Sequence, residues 1–170
     1  IRSCLVGSEM CIRDSRLAAR IDDWALRWEA SKADACLATR VRAEQSEAMM
    51  DRRMACLADR RAAASAVTAV LVNEDPEVVD RAPKLADALP APESCDDTVA
   101  VSTTIPDPSI VTSPQEIASL RSQLAAVSVL VQLGRFAEAR AILHELVAAA
   151  DRTDYSPLIA EVHVSLGHVH

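Results

Sequence analysis

The stretch Leu133-Gly134-Arg135-Phe136-Ala137-Glu138-Ala139 constrains this chain more than any other. Before it, Ile117, Leu120, Leu124, Val127, Leu130 and Val131 recur mostly at steps of three and four, the spacing that lines one face of a helix. After it, Phe136, Ala139, Leu143 and Leu146 repeat the same spacing up to about Ala150, and all four are expected to be buried. Gly134 separates the two runs and can take the left-handed conformation that stops a helix without a Cβ clash. So short a connection leaves the second helix little choice but to fold back antiparallel on the first. Ser113-Pro114-Gln115-Glu116 is a capping box with proline at the first helical position, and opens the first helix. Ser156-Pro157 starts a further one in the same way, carrying Leu158, Val162, Leu166 and Gly167.

The rest of the composition agrees with helices. Only 3 of the 170 residues are glycine and 2% are aromatic, while alanine, which loses no side-chain entropy in a helix, is abundant. Leu17, Ile21, Trp24 and Trp28 form a helical stripe that Leu37 and Val41 extend, predicting one long helix over residues 16–43 with the tryptophans in a core. Ser46 is a good N-cap for a second helix, whose apolar face runs through Met50, Met54, Leu57, Ala64 and Leu71 to about Val72. These two should form an antiparallel hairpin turning at residues 44–46. Asp75-Pro76 starts a third helix, and Pro83 inside it should kink or split it before Leu89-Pro90. From Pro90 to Ser113 the prolines, serines and threonines read as a linker, with one helical turn capped by Asp96-Asp97.

The expectation is therefore all-α: a helical hairpin and kinked third helix over residues 16–89, a Pro/Ser/Thr-rich linker over 90–113, and a helical array beginning over 114–170. Residues 5–15 are set apart from this. Leu5-Val6-Gly7-Ser8-Glu9-Met10-Cys11-Ile12-Arg13-Asp14-Ser15 resembles a translated sequencing-library adapter, so residues 1–15 are expected to lie outside the natural reading frame.

Charge excludes some functions. The net charge is −7, and the basic residues do not gather into the face that phosphate binding needs. With so few aromatics for base stacking, a nucleic-acid partner is not expected. No apolar run reaches the ~18 residues of a membrane span, so direct insertion is not expected either. His144, His163, His168 and His170 lack ligand spacing, and the cysteines have no CxxC pair. Arg52-Arg53 and Arg60-Arg61, interleaved with Asp51 and Asp59, read as a solvated face. No catalytic, cofactor or metal site is expected. Cys36 and Cys56 lie ten residues to either side of Ser46, at one height in a hairpin turning there. A Cys36–Cys56 disulfide and two free buried thiols both fit, and Cys95 is left over.

Gly134, Phe136 and Ala139, a small residue, an aromatic two later and a small residue three after that, resemble the turn of a tetratricopeptide repeat. Leu166-Gly167 resembles the Leu-Gly of the next repeat's first helix, with Ala126-Val127 as its equivalent one repeat earlier. Ala35-Cys36-Leu37-Ala38-Thr39-Arg40, Glu44-Gln45-Ser46, Arg53-Met54-Ala55-Cys56-Leu57 and Arg60-Arg61 resemble a helical segment of bacterial, myxobacterial-type serine/threonine protein kinases. In those proteins a kinase domain precedes this segment and tetratricopeptide repeats follow it. The glycine-rich loop, catalytic loop and Asp-Phe-Gly motif of a kinase are not in this chain. The resemblance implies a non-catalytic regulatory region that binds a protein or peptide, with Ser119, Gln123 and Gln132 as contact candidates on the repeat's first helix. It also implies a position in the cytoplasm or on the outer side of a membrane-anchored parent. The alternative is a structural module that self-associates through the Trp24/Trp28 face.

Overall fold

The computed structural model describes residues 9–72, 76–87, 89–104 and 114–169. It is all-α, with no strand among the described residues. The order is α1 (Glu9–Arg40), α2 (Glu47–Val72), α3 (Pro76–Asp87), a 3₁₀ turn (Pro92–Cys95), α4 (Thr98–Thr104), α5 (Pro114–Gln132), α6 (Phe136–Arg152) and α7 (Ser156–His168).

α1 and α2 are antiparallel, held by Trp28 Nε1 donating to the Leu57 carbonyl at 2.8 Å and by the Arg53–Asp34 ion pair at 2.9 Å. α2 starts where the cap predicts, with the Ser46 hydroxyl accepting from the Met49 amide at 3.2 Å. The hairpin pivots earlier, at Ala43, whose φ of 54° is left-handed. This offset removes the Cys36–Cys56 alternative. With 28 level with 57 and 34 level with 53, Cys36 lies level with about residue 50, roughly 9 Å along the axis from Cys56 and beyond bridging reach. Cys36 is a free, half-buried thiol, and Cys56 instead bridges Cys95.

The tryptophans are core, as their spacing predicts: Trp24 is buried and Trp28 half-buried. Leu37 and Val41 are not. They turn to solvent because the buried face of α1 passes through Trp24, Ser31, Ala35 and Ala38. α3 runs unbroken through Pro83, against the expected kink or split. Val78, Ala82, Leu85 and Ala86, spaced four, three and one apart, are all buried, and that packing outweighs one missing amide donor.

The expected linker is largely structured. Its first half lies along α1: the Pro90 carbonyl accepts from Trp24 Nε1 at 2.9 Å, Glu93 pairs with Arg27 at 3.1 Å, and Asp96 accepts from the Ser31 hydroxyl at 3.0 Å. Pro92, Cys95 and Val101 are buried. The Asp97 carboxylate caps α4 by accepting from the Val99 and Ala100 amides, both at 3.0 Å. The Asp75 and Ser113 caps fall outside the described residues.

α5 is packed on two sides. Val129 and Leu133 join Val67, Val78 and Leu85 of α2 and α3, while Ile117, Leu120 and Val127 join Ala139, Leu143, Leu146, Leu158 and Val162 of α6 and α7. α5 ends as Gly134 predicts. Its φ is 76°, its amide donates to the Val131 carbonyl, and the Arg135 amide donates to the Leu130 carbonyl, both at 2.9 Å. Ala139 is fully buried, so α5 and α6 approach closely there. Phe136, expected in the core, is instead 48% exposed. α7 ends level with Arg140, whose guanidinium donates to the Val169 carbonyl at 2.7 Å.

Candidate functional site

Two polar constellations stand out, and neither was apparent from sequence. The first is Arg53 of α2. Its side chain is only 3% exposed, and its guanidinium donates to the Cys95 carbonyl (3.2 Å), Gln45 Oε1 (3.1 Å), Asp34 (2.9 Å) and Asp96 (2.5 Å). A planar fork of five donors can serve four acceptors in different elements, which an ammonium cannot do as well. Gln45 continues the network to the Ala35 carbonyl (3.0 Å) and Thr39 (2.8 Å). Hydrogen bonds from Arg53 and then Arg42 pull the Asp34 carboxyl below its usual range. The reading of Arg52-Arg53 and Arg60-Arg61 as a solvated face therefore fails at Arg53. Arg61 and Lys32 sit over the Trp28 ring, at 5.9 and 5.0 Å from its centroid.

The second is Arg121 of α5, which pairs with Asp59 of α2 at 3.1 Å and Glu161 of α7 at 2.9 Å, tying three helices together. These residues line an open cleft of about 480 Å³ with Cys56, Arg60, Leu124, Ala125 and Ser128. Burial pushes the Asp59 carboxyl above its usual range, Glu161 adds to the rise, and Arg121 only partly opposes it. Burial works against the Arg121 charge too, yet Asp59 and Glu161 together hold its pKa above normal. Desolvation likewise raises the Tyr155 phenol, and Arg121 works against that rise. The Arg121 and Arg60 Nε atoms are buried without an acceptor.

The cleft offers charges of both signs beside a small apolar floor. Such a surface can hold polar groups; its Ser128 hydroxyl donates to the Leu124 carbonyl at 3.1 Å, and its Cys56 is held in a disulfide. Among the described residues no three His, Cys, Asp or Glu side chains gather as metal ligands, and no helix is long and apolar enough to cross a membrane.

The contact candidates do not share one face. Ser119 and Gln123 are exposed and about 40° apart around α5, but Gln132 lies roughly half a turn from Gln123 and points elsewhere. The Gln132 carbonyl accepts from Arg81 of α3 at 3.4 Å. Of the turn residues, Gly134 is left-handed, Ala139 is fully buried, Leu166 is half-buried against the α5–α7 core, and Gly167 is exposed near the end of α7. The one local signal for the first network is that Asp34 and Asp96 have no basic residue three or four positions away, which leaves both to pair with a distant cation, Arg53.

The chain matches no protein-family model, no curated protein and no solved structure.

Proposed function

We propose that this chain is a non-catalytic protein-recognition segment of the tetratricopeptide kind, from the regulatory region of a bacterial serine/threonine protein kinase. The observation that carries the reading is the α5–α6–α7 stack. Consecutive antiparallel helices share one core around a fully buried Ala139, and a left-handed glycine closes the first turn. A helix pair that cannot bury its apolar face alone is the unit from which such arrays are built.

The partner is a protein or peptide. It lies along the exposed side of α5 at Ser119 and Gln123, and Gln132 belongs to another surface. The kinase parent rests on the sequence resemblance over residues 28–61.

Screening the purified chain against a peptide array, followed by anisotropy titrations, tests the assignment. Binders should lose about tenfold in affinity in a Ser119→Glu/Gln123→Glu variant and be unaffected by Gln132→Ala. Binding retained by the double variant, with its helicity intact, removes the assignment.

A further inference from the structure

The outward face of α1 is apolar over a long stretch and self-complementary in charge. Leu26 is 71% exposed, Leu37 47% and Val41 72%, and Ala30 and Ala33 between them are exposed as well. At 100° per residue, positions 26, 30, 33, 37 and 41 fall on one stripe, opposite the buried Trp24 and Ala35. Exposed Asp22 and Asp23 stand at the N-terminal end of this stripe and exposed Arg40 at the other.

From Asp23 to Arg40 the order of these residues is palindromic about a point between Ser31 and Lys32, while outside that span Asp22 falls level with Val41. Turning the helix end over end there lays Leu26 on Leu37, Ala30 on Ala33 and Asp23 on Arg40. Parallel pairing would set Asp22 and Asp23 against themselves, and Arg40 against itself. Small residues at the centre let two backbones approach closely, with leucines closing each side. The ion pairs that Asp23 and Arg40 already make, with Arg27 at 3.0 Å and Glu47 at 2.9 Å, are between exposed side chains and are cheap to exchange.

We propose that α1 is a homodimerisation surface, on which a second copy of this chain docks antiparallel about a two-fold axis. An isologous contact of this kind uses one patch twice, so each stabilising pair occurs twice. It differs from self-association through the tryptophans, which α1 keeps for its own core, and it stands whether or not the α5 face recognises a peptide. The stripe from Asp22 to Val41 is about 28 Å long, which makes a small interface and a dimer that dissociates on dilution.

Sedimentation velocity of the whole chain over a concentration series tests this. The expected result is a reversible monomer–dimer equilibrium that Leu26→Asp/Leu37→Asp abolishes without loss of helicity. Asp23→Arg and Arg40→Asp should each raise the dissociation constant about tenfold, and the two together should restore it to within about threefold. Ser122→Asp on α5, away from the stripe, should leave it unchanged. A monomer at every concentration up to about 500 µM overturns the proposal. So does a dimer indifferent to the leucine variant, or a charge swap that fails to rescue.

Discussion

Breaking the Cys56–Cys95 bridge should destabilise the chain strongly. The bridge joins α2 to the 3₁₀ turn across a sequence separation of 39. In the chain-entropy model a closed loop of that length removes about 13 cal/mol/K from the unfolded ensemble, or about 4 kcal/mol at 25 °C. For a chain of this size that corresponds to a midpoint lower by about 8–16 °C. Both half-cystines are almost completely buried, so a reductant will act slowly on the native state and has to be applied through unfolding and refolding. The measurement is thermal unfolding of the oxidised chain, the reduced chain and Cys56→Ala/Cys95→Ala, with Cys36→Ala as a control. Reduction should bring the wild-type and Cys36→Ala midpoints down together, and leave the double variant where it already is. Peptide mapping of the oxidised chain should recover Cys56 joined to Cys95. A wild-type shift equivalent to less than about 1 kcal/mol would refute the loop argument, and a recovered Cys36–Cys56 peptide the hairpin register behind the pairing.

Other expectations follow from the two arginine networks and the glycines. Arg53→Ala should cost about 2–3 kcal/mol in urea unfolding, because four acceptors lose a buried donor, and Arg53→Lys should recover only part of it. The carboxylates of the two networks should respond to pH in opposite directions. The folded Asp34 pKa is lowered, so its contribution is present above the ordinary aspartate value of 3.8 and is lost as pH falls through the folded value. Asp34→Asn should therefore lower stability at pH 7 and flatten the acid limb. The folded Asp59 pKa is raised, so its contribution is present below 3.8 and is lost as pH rises through the folded value. Asp59→Asn should raise the urea midpoint at pH 7 and lose that advantage in acid; a variant less stable than wild type at pH 7 but not in acid would contradict the desolvation account. Gly134→Ala, at φ 76° with only ordinary contact to Arg81, should cost about 1–2 kcal/mol from backbone strain. Gly167→Ala meets nothing within 4 Å and should be neutral or stabilising by up to about 0.5 kcal/mol.

Much of the fold was legible in the residues because its signals are local. The start of α2 at Ser46, the cap of α4 at Asp97 and the stop of α5 at Gly134 each depend on atoms within a few residues, and each forms as read. The apolar period likewise fixed that the chain is helical, since it reports which side chains share a face whatever that face meets. What the face meets is another matter. Nothing near Arg53 distinguishes it from Arg61, yet one is buried among four acceptors and the other lies over a tryptophan ring. Leu37 and Trp28 belong to the same helix, but its rotation sends one to solvent and the other inward. Pro83 stays inside an unbroken helix because the packing beside it outweighs the missing amide donor, which no local signal shows.

The partner of Cys56 shows the same division most plainly. Sequence alone determined that α1 and α2 are helices folding back on each other. A pivot at Ala43 in place of Ser46 was enough to move Cys36 out of reach, and the packing of residues 90–96 along α1 brought Cys95 in. Helix formation is settled by interactions within a turn or two. Register and rotation are settled by the sum of many contacts between segments far apart in the chain, and these exist only once the tertiary structure has formed.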